Sequence, residues 1–179
     1  KDFRQGLLLG TRNGIFFLAN NTAALQAWPT HSPLTTEIET ITQSLDGKEI
    51  WVATLEQGLF HYSAEGELIK HFKRSDGLAD NNVRDLKFDR TGRLWIATFD
   101  GLSRIDSARS IIKTWRYNQG LGGSLASSRI QSLMQDRDGL MWIGTWLNGV
   151  SLYIPQTEIF QEITSQSTTN FALPASSVP

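Results

Sequence analysis

Leu94-Trp95-Ile96-Ala97-Thr98-Phe99-Asp100-Gly101-Leu102 decides how this chain is built, because versions of it occur four times. The other copies are Leu7-Leu8-Leu9-Gly10-Thr11 with Gly14, Ile50-Trp51-Val52-Ala53-Thr54 with Gly58, and Met141-Trp142-Ile143-Gly144-Thr145 with Gly149. Successive Thr residues lie 43, 44 and 47 residues apart. A strand-rich period of about 40 to 50 residues is the signature of a β-propeller, with one four-stranded sheet per repeat.

Working outward from Trp95, Val83 to Asp89 alternates apolar and polar residues with period two, as a half-exposed strand does. Asp89-Arg90-Thr91-Gly92 is a turn, and Arg93 to Thr98 is an almost wholly apolar strand, suited to a sheet covered on both faces. After the turn at Phe99-Asp100-Gly101, Leu102 to Asp106 and Ile111 to Tyr117 supply a third and a fourth strand. Repeat four reads Ile130 to Gln135, Leu140 to Thr145, Val150 to Tyr153 and Glu158 to Ile163. Repeat two reads Ile38 to Gln43, Glu49 to Thr54, Leu59 to Tyr62 and Leu68 to Phe72. The fold class expected is all-β: a partial β-propeller of four-stranded antiparallel blades over 1–179, in about four repeats. The repeats run roughly 1–32, 33–77, 78–124 and 125–172, with a fifth opening at 173–179, where Leu173 to Val178 echoes Leu78 to Val83. Lys1 to Gly6 align with the turn before a second strand, so the first repeat is expected to lack its first strand. The expectation is that Lys1 stands near the start of the propeller and that Pro179 cuts through its middle.

Bulk properties remove several function classes. The 179 residues are 40% apolar and 20% charged with net charge −1, which gives no electrostatic case for nucleic acid or an anionic membrane. Lys70, Lys73 and Arg74 form too small a basic cluster to change that. Cysteine is absent, so disulfide and thiol chemistry are excluded. No apolar run approaches the roughly 18 residues of a membrane-spanning helix.

Laid out in this way, the repeat resembles the two-component regulator propeller family, Reg_prop. The family pattern is a Gly-Leu-Pro-Ser-Asn-like lead, a strand with Val, Asp-x-x-Gly, Leu-Trp-Ile-Gly-Thr and then Gly-Leu. Asp76-Gly77-Leu78 through Ile105 is similar to it throughout. Arg129 through Leu152 is nearly as similar, with Leu147-Asn148-Gly149-Val150 in place of Gly-Gly-Leu. In repeat two, Leu34 and Ile38 stand one residue closer than Leu78 and Val83, and repeat one keeps only Leu-Leu-Leu-Gly-Thr. The resemblance implies the periplasmic sensor region of a bacterial inner-membrane receptor, a hybrid histidine kinase or diguanylate cyclase. It also implies seven-bladed domains and homodimers.

Most eye-catching residues read as frame. Trp51, Trp95 and Trp142 share one repeat position and are expected to pack between blades. Ala53, Ala97 and Gly144 let strands approach, and Thr54, Thr98 and Thr145 bond to backbone at strand ends, since no base repeats with them. Asp136-x-Asp138 looks faintly like a calcium loop, but its twelfth position is Leu147, so a hairpin turn is the reading. Gly120-Leu121-Gly122-Gly123-Ser124 leads into a strand and not a helix, which makes it a lengthened connection and not a phosphate cradle. His31, His61 and His71 share no repeat position and are expected on exposed loops or strand edges, with no metal site. No carboxylate stands in an apolar setting that would mark an acid/base pair.

The positions just after each Thr, and the connections into each next first strand, open on one face and differ between repeats. The candidate ligand-binding residues are Arg12, Asn13, Glu56, Gln57, Phe99, Asp100, Asn82, Arg129, Trp146 and Asn148. Asp80, Asn81, Ser127, Ser128 and Leu147 lie on the same rim. Trp146 beside Asn, Asp and Arg suits a small polar or sugar-like ligand; the competing role is packing on a neighbouring blade. The leading expectation is a non-enzymatic sensor module without cofactor or metal, and the alternative is a general protein-protein interaction propeller. A propeller enzyme would need an acid, base or metal constellation that the sequence does not show.

Overall fold

A computed structural model describes residues 2–3, 6–20, 24–29, 33–109 and 112–163 of the chain. Among the described residues, sixteen strands form four antiparallel sheets, each a meander in chain order. The first holds β1 (Asp2–Phe3), β2 (Gly6–Thr11), β3 (Gly14–Ala19) and β4 (Leu25–Trp28). The second holds β5 (Ile38–Gln43), β6 (Glu49–Thr54), β7 (Leu59–Ser63) and β8 (Leu68–Phe72). The third holds β9 (Val83–Phe88), β10 (Leu94–Thr98), β11 (Gly101–Ile105) and β12 (Ile112–Trp115). The fourth holds β13 (Ile130–Gln135), β14 (Met141–Thr145), β15 (Val150–Ile154) and β16 (Ile159–Ile163). Strands read from periodicity thus agree with those observed to within two residues at any end. One expectation is corrected: the first repeat does have a first strand, because Asp2 pairs with Leu7 and Phe3 with Gly6. The lead at 173–179 lies outside the described residues.

The core is divided among the junctions between sheets. Leu8 and Ile15 of the first sheet meet Ile38, Ile50, Val52, Phe60 and Tyr62 of the second. Trp51 and Phe72 of the second meet Leu86, Phe88, Leu94 and Ile96 of the third. Trp95 and Leu102 of the third meet Leu133, Met141, Ile143, Tyr153 and Phe160 of the fourth. Trp51 and Trp95 are therefore inter-blade packing residues and fully buried, while Trp142 of the fourth sheet is half-buried. The first strands β5, β9 and β13 lie side by side at the inner edge.

Burying an indole also buries its N–H, which needs an acceptor. Asp89, 1% exposed, supplies one: its Oδ2 accepts from Trp95 Nε1 at 2.9 Å and from Arg93 Nε at 2.7 Å. Its Oδ1 accepts from the backbone N–H groups of Thr91 and Arg93 and from the Thr91 hydroxyl. Asp136 repeats this with Trp142 Nε1 at 2.8 Å and the N–H groups of Asp138 and Leu140. In the second sheet the stretch from the turn glycine to Trp51 is one residue longer, and Ser44 stands where the other turns have aspartate, its hydroxyl donating to Asp46. There Glu49 Oε2 accepts from Trp51 Nε1 at 3.2 Å, and Arg109, reaching from the third sheet, neutralises Glu49 at 3.0 Å.

The turn between third and fourth strands clasps the preceding blade. Arg109 (φ 60°) and Glu158 (φ 56°) hold left-handed backbone that disfavours side chains. Arg109 lies over Trp51 and Phe88, while Glu158 meets Arg104 at 3.4 Å, Lys113 at 2.9 Å and the Tyr153 hydroxyl. Lys113, by hydrogen bond and by charge, draws the Glu158 pKa down to about 2, with help from Tyr153 and Arg104.

Burial alone would raise the Asp89 pKa, but hydrogen bonds from Thr91, Trp95 and Arg93 outweigh it and hold the group below the usual carboxylate range. Its contribution to stability is therefore complete above the unfolded pKa of about 4 and is lost as pH falls through the folded value. Asp89→Asn is expected to cost about 3 kcal/mol at neutral pH. Urea unfolding across pH should show the gap between parent and variant narrowing below about pH 4. A gap that stays constant into strong acid would refute the assignment.

Candidate functional site

Each recurring Thr closes the loop between second and third strands. Thr11, Thr54, Thr98 and Thr145 donate their hydroxyls to the carbonyls of Gly14, Gly58, Gly101 and Gly149 at 2.7 to 2.9 Å. The same hydroxyls accept backbone N–H groups from Asn13, Gln57 and Asn148 in three of the loops. Gly58, at φ 86°, shows why glycine closes the loop: an added Cβ would stand 2.3 Å from the Phe72 carbonyl oxygen. The expected local role of the threonines is the one observed.

The residue after Thr is then pinned to the residue before the first strand. Leu55 N–H donates to Glu37 O, Phe99 N–H to Asn82 O and Trp146 N–H to Arg129 O, at 3.0 to 3.1 Å. Loop and incoming connection therefore do share one rim, as the repeat logic requires. Between the third and fourth sheets this rim encloses a cleft of about 560 Å³. Five of the ten candidate residues line it: Phe99, Asp100, Arg129, Trp146 and Asn148. Asp80, Ser127, Ser128 and Leu147 join them, as do Arg74 and Tyr117, which the sequence reading left aside. Both newcomers follow a fourth strand, Arg74 after β8 and Tyr117 after β12, where the connection climbs to the same rim.

The other five candidates lie elsewhere on that rim. Arg12 pairs with Glu37 at 3.7 Å across the first junction, and Asn13 is held by Thr11. Gln57 is held by Thr54 and by the His71 ring, and Glu56 shares its loop. Asn82 sits behind Phe99, with its own Oδ1 buried and without a partner.

Within the cleft, Arg74 lies 3.6 Å from both Asp80 and Asp100, and Arg116 approaches Asp100 at 3.4 Å while donating to Ala79 O. Arg129 lies over the Phe99 ring at 4.9 Å. Trp146 is 49% exposed, and Phe99 and Tyr117 are similarly open. Asn148 Nδ2 donates to Ala126 O, which fixes its loop against the incoming connection. The arrangement offers aromatic rings, fixed charges and backbone-anchored loops.

Two readings of titratable groups change. His61 is not at an exposed edge: it is 3% exposed and stacked on Trp51, with ring centroids 3.8 Å apart. Burial lowers its pKa, against the attraction of Glu49 at 3.5 Å. His71 stacks on Phe60, and His31 lies outside the described residues. Asp89 is a buried carboxylate and Asp85 a half-buried one, but backbone donors occupy both, with side-chain donors as well at Asp89. Asp85 accepts from Leu86 N–H and Leu133 N–H, and its burial pushes its pKa up. Asp136, from the calcium-like stretch, is turned to Trp142, and no group of three potential metal ligands occurs among the described residues.

The model of the two component regulator propeller family matches residues 77–100 and 124–147, the third repeat's lead through Asp100 and the fourth's through Leu147. The third and fourth repeats of this chain are thus two-component regulator propeller repeats. No curated protein matches it. Among solved structures, the propeller is similar to the extracellular domain of BT3049 from B. thetaiotaomicron, described as a hybrid two component system. Identity there is 26% over 97% of this chain and 22% of that one, with a TM-score of 0.74. The extracellular domain of BT4673, from the same organism, is 21% identical over 90% of this chain and 21% of that one, also at TM-score 0.74. The WD40 propeller domain of Doa1 shares the fold at 12% identity and TM-score 0.66, over 98% of this chain and 53% of that one. The chain thus spans about a fifth of the length of the two B. thetaiotaomicron domains. In the third and fourth repeats the family motif supplies the frame, and the cleft is built from the residues around it.

Thr145→Val keeps the side-chain shape but removes both hydrogen bonds of the Trp146 loop. It is expected to lower stability by about 1–2 kcal/mol. Amide hydrogen exchange should rise at Asn148 while the centre of β14 stays protected. Unchanged exchange at Asn148 would mean that the Thr hydroxyl does not hold the loop.

Proposed function

We propose that this propeller is a non-enzymatic sensor module of a bacterial transmembrane signalling receptor, of the two-component or cyclic-di-GMP type. The observation that carries this reading is the cleft between third and fourth sheets, where exposed Trp146, Phe99 and Tyr117 stand among paired charges on a fixed rim. The family-model matches in two repeats and the likeness to the extracellular domain of a two-component system support a periplasmic location, and the reading includes a homodimeric receptor. On this reading, a small polar or sugar-like ligand enters the cleft and shifts an equilibrium between two receptor states. Such a shift requires different affinity for the two states.

Trp146→Ala tests the assignment of the cleft. Its side chain is half exposed and its backbone bond to Arg129 does not depend on the indole, so the melting temperature should hold within a few degrees. Affinity for a ligand found by screening should fall by about ten-fold or more. A large drop in melting temperature with unaltered affinity would reassign Trp146 to packing and move the ligand site elsewhere.

A further inference from the structure

Both carboxylates that line the cleft face a guanidinium, but one of its guanidinium groups faces no carboxylate. Asp80 and Asp100 are taken by Arg74, and Asp100 by Arg116 as well. Arg129 has no ion pair among the described residues; its side chain lies over Phe99. The first junction makes the contrast. There the rim arginine, Arg12, meets Glu37, which holds the same place before its strand that Arg129 holds before β13.

A guanidinium over a ring engages through its face and keeps its N–H donors around its edge, free for a planar anion. The serines beside it accept backbone N–H groups, Ser127 Oγ from Arg129 and Ser128 Oγ from Tyr117, which leaves them neutral O–H donors toward the cleft. The unpaired charge is thus the one ionic contact the cleft leaves available, and Trp146 and Tyr117 present open ring faces next to it.

We propose that the cleft binds a ligand with a carboxylate on a six-membered ring: Arg129 takes the carboxylate, and Trp146 and Tyr117 take the ring. This rests on the cleft being the ligand site. A sugar acid and an aromatic acid both present that chemistry.

The test is calorimetric titration of the full chain with two matched pairs, glucuronate against glucose and benzoate against benzyl alcohol, at low salt. At least one acid is expected to bind about ten-fold tighter than its neutral partner. Arg129→Gln should abolish that preference, Arg129→Lys should keep part of it, and Arg12→Gln should leave it intact. The pair that shows the preference identifies the source of the ring. Equal binding of acid and neutral partner, or a preference that survives Arg129→Gln, overturns the anion contact. If that binding is still weakened by Trp146→Ala, the cleft remains the ligand site. Absence of binding by all four probes at millimolar concentration overturns the proposal, and an unrelated ligand then still sensitive to Trp146→Ala would spare the sensor reading.

Discussion

The indole N–H of the repeated tryptophan cannot be left without an acceptor once the next sheet covers the ring, and much of the blade is arranged around that requirement. A carboxylate must come within reach of a point where the strand has already left the turn. Asp89 and Asp136 do this from six residues upstream, and the same carboxylate then bonds the backbone N–H groups that shape the turn. Turn geometry, the start of the second strand and the seating of the ring are therefore one coupled feature. Before Trp51 the turn is one residue longer and opens on Ser44 where the other blades have aspartate, and Glu49 supplies the acceptor. Glu49 then carries charge into a covered site, and Arg109 answers it from the neighbouring blade in a left-handed turn conformation. Serine in place of one aspartate thus leaves the acceptor to another residue and draws in a cation from the next repeat. The first blade has Leu8 at this position and needs none of this.

The fold was legible because propeller blades repeat the same local pattern, and each alternating or apolar run has a turn at either end. Strands of five or six residues announce themselves in this way; β1 does not, because Asp2–Phe3 is too short to alternate and exists through its partners Leu7 and Gly6. His61 escaped for another reason. It occupies the slot opposite Trp51, where the third blade offers Arg104 and the fourth Leu152. Only the neighbouring sheet's cover decides that the imidazole is buried while the position looks polar. Burial of this kind belongs to the junction between blades, and a pattern read along one strand does not contain it.

The site was half legible, and the half that was missed has a geometric cause. Listing every loop on one rim treats the rim as one place, although each junction is a separate one. Arg12 with Glu37 belongs to the first junction and Gln57 with His71 to the second blade, so they have no part in the cleft. Arg74 and Tyr117 come from connections after fourth strands, which climb the outside of a blade before reaching the rim, and no periodic signal marks where they arrive.

What allows the rim to vary is a division of labour between backbone and side chain. The Thr hydroxyl and the glycine carbonyl close each loop, and the next N–H is held by the carbonyl before the first strand. None of these bonds uses the side chain that follows Thr. Leu55, Phe99 and Trp146 can therefore occupy the same backbone geometry with different chemistry. A scaffold fixed in this way confines recognition to the side chains, and two of the aromatic ones, Phe99 and Trp146, fall on the adjacent third and fourth blades. Their adjacency across one junction, with Arg129 between them in the chain and over one of the rings, turns two variable positions into a single concave surface.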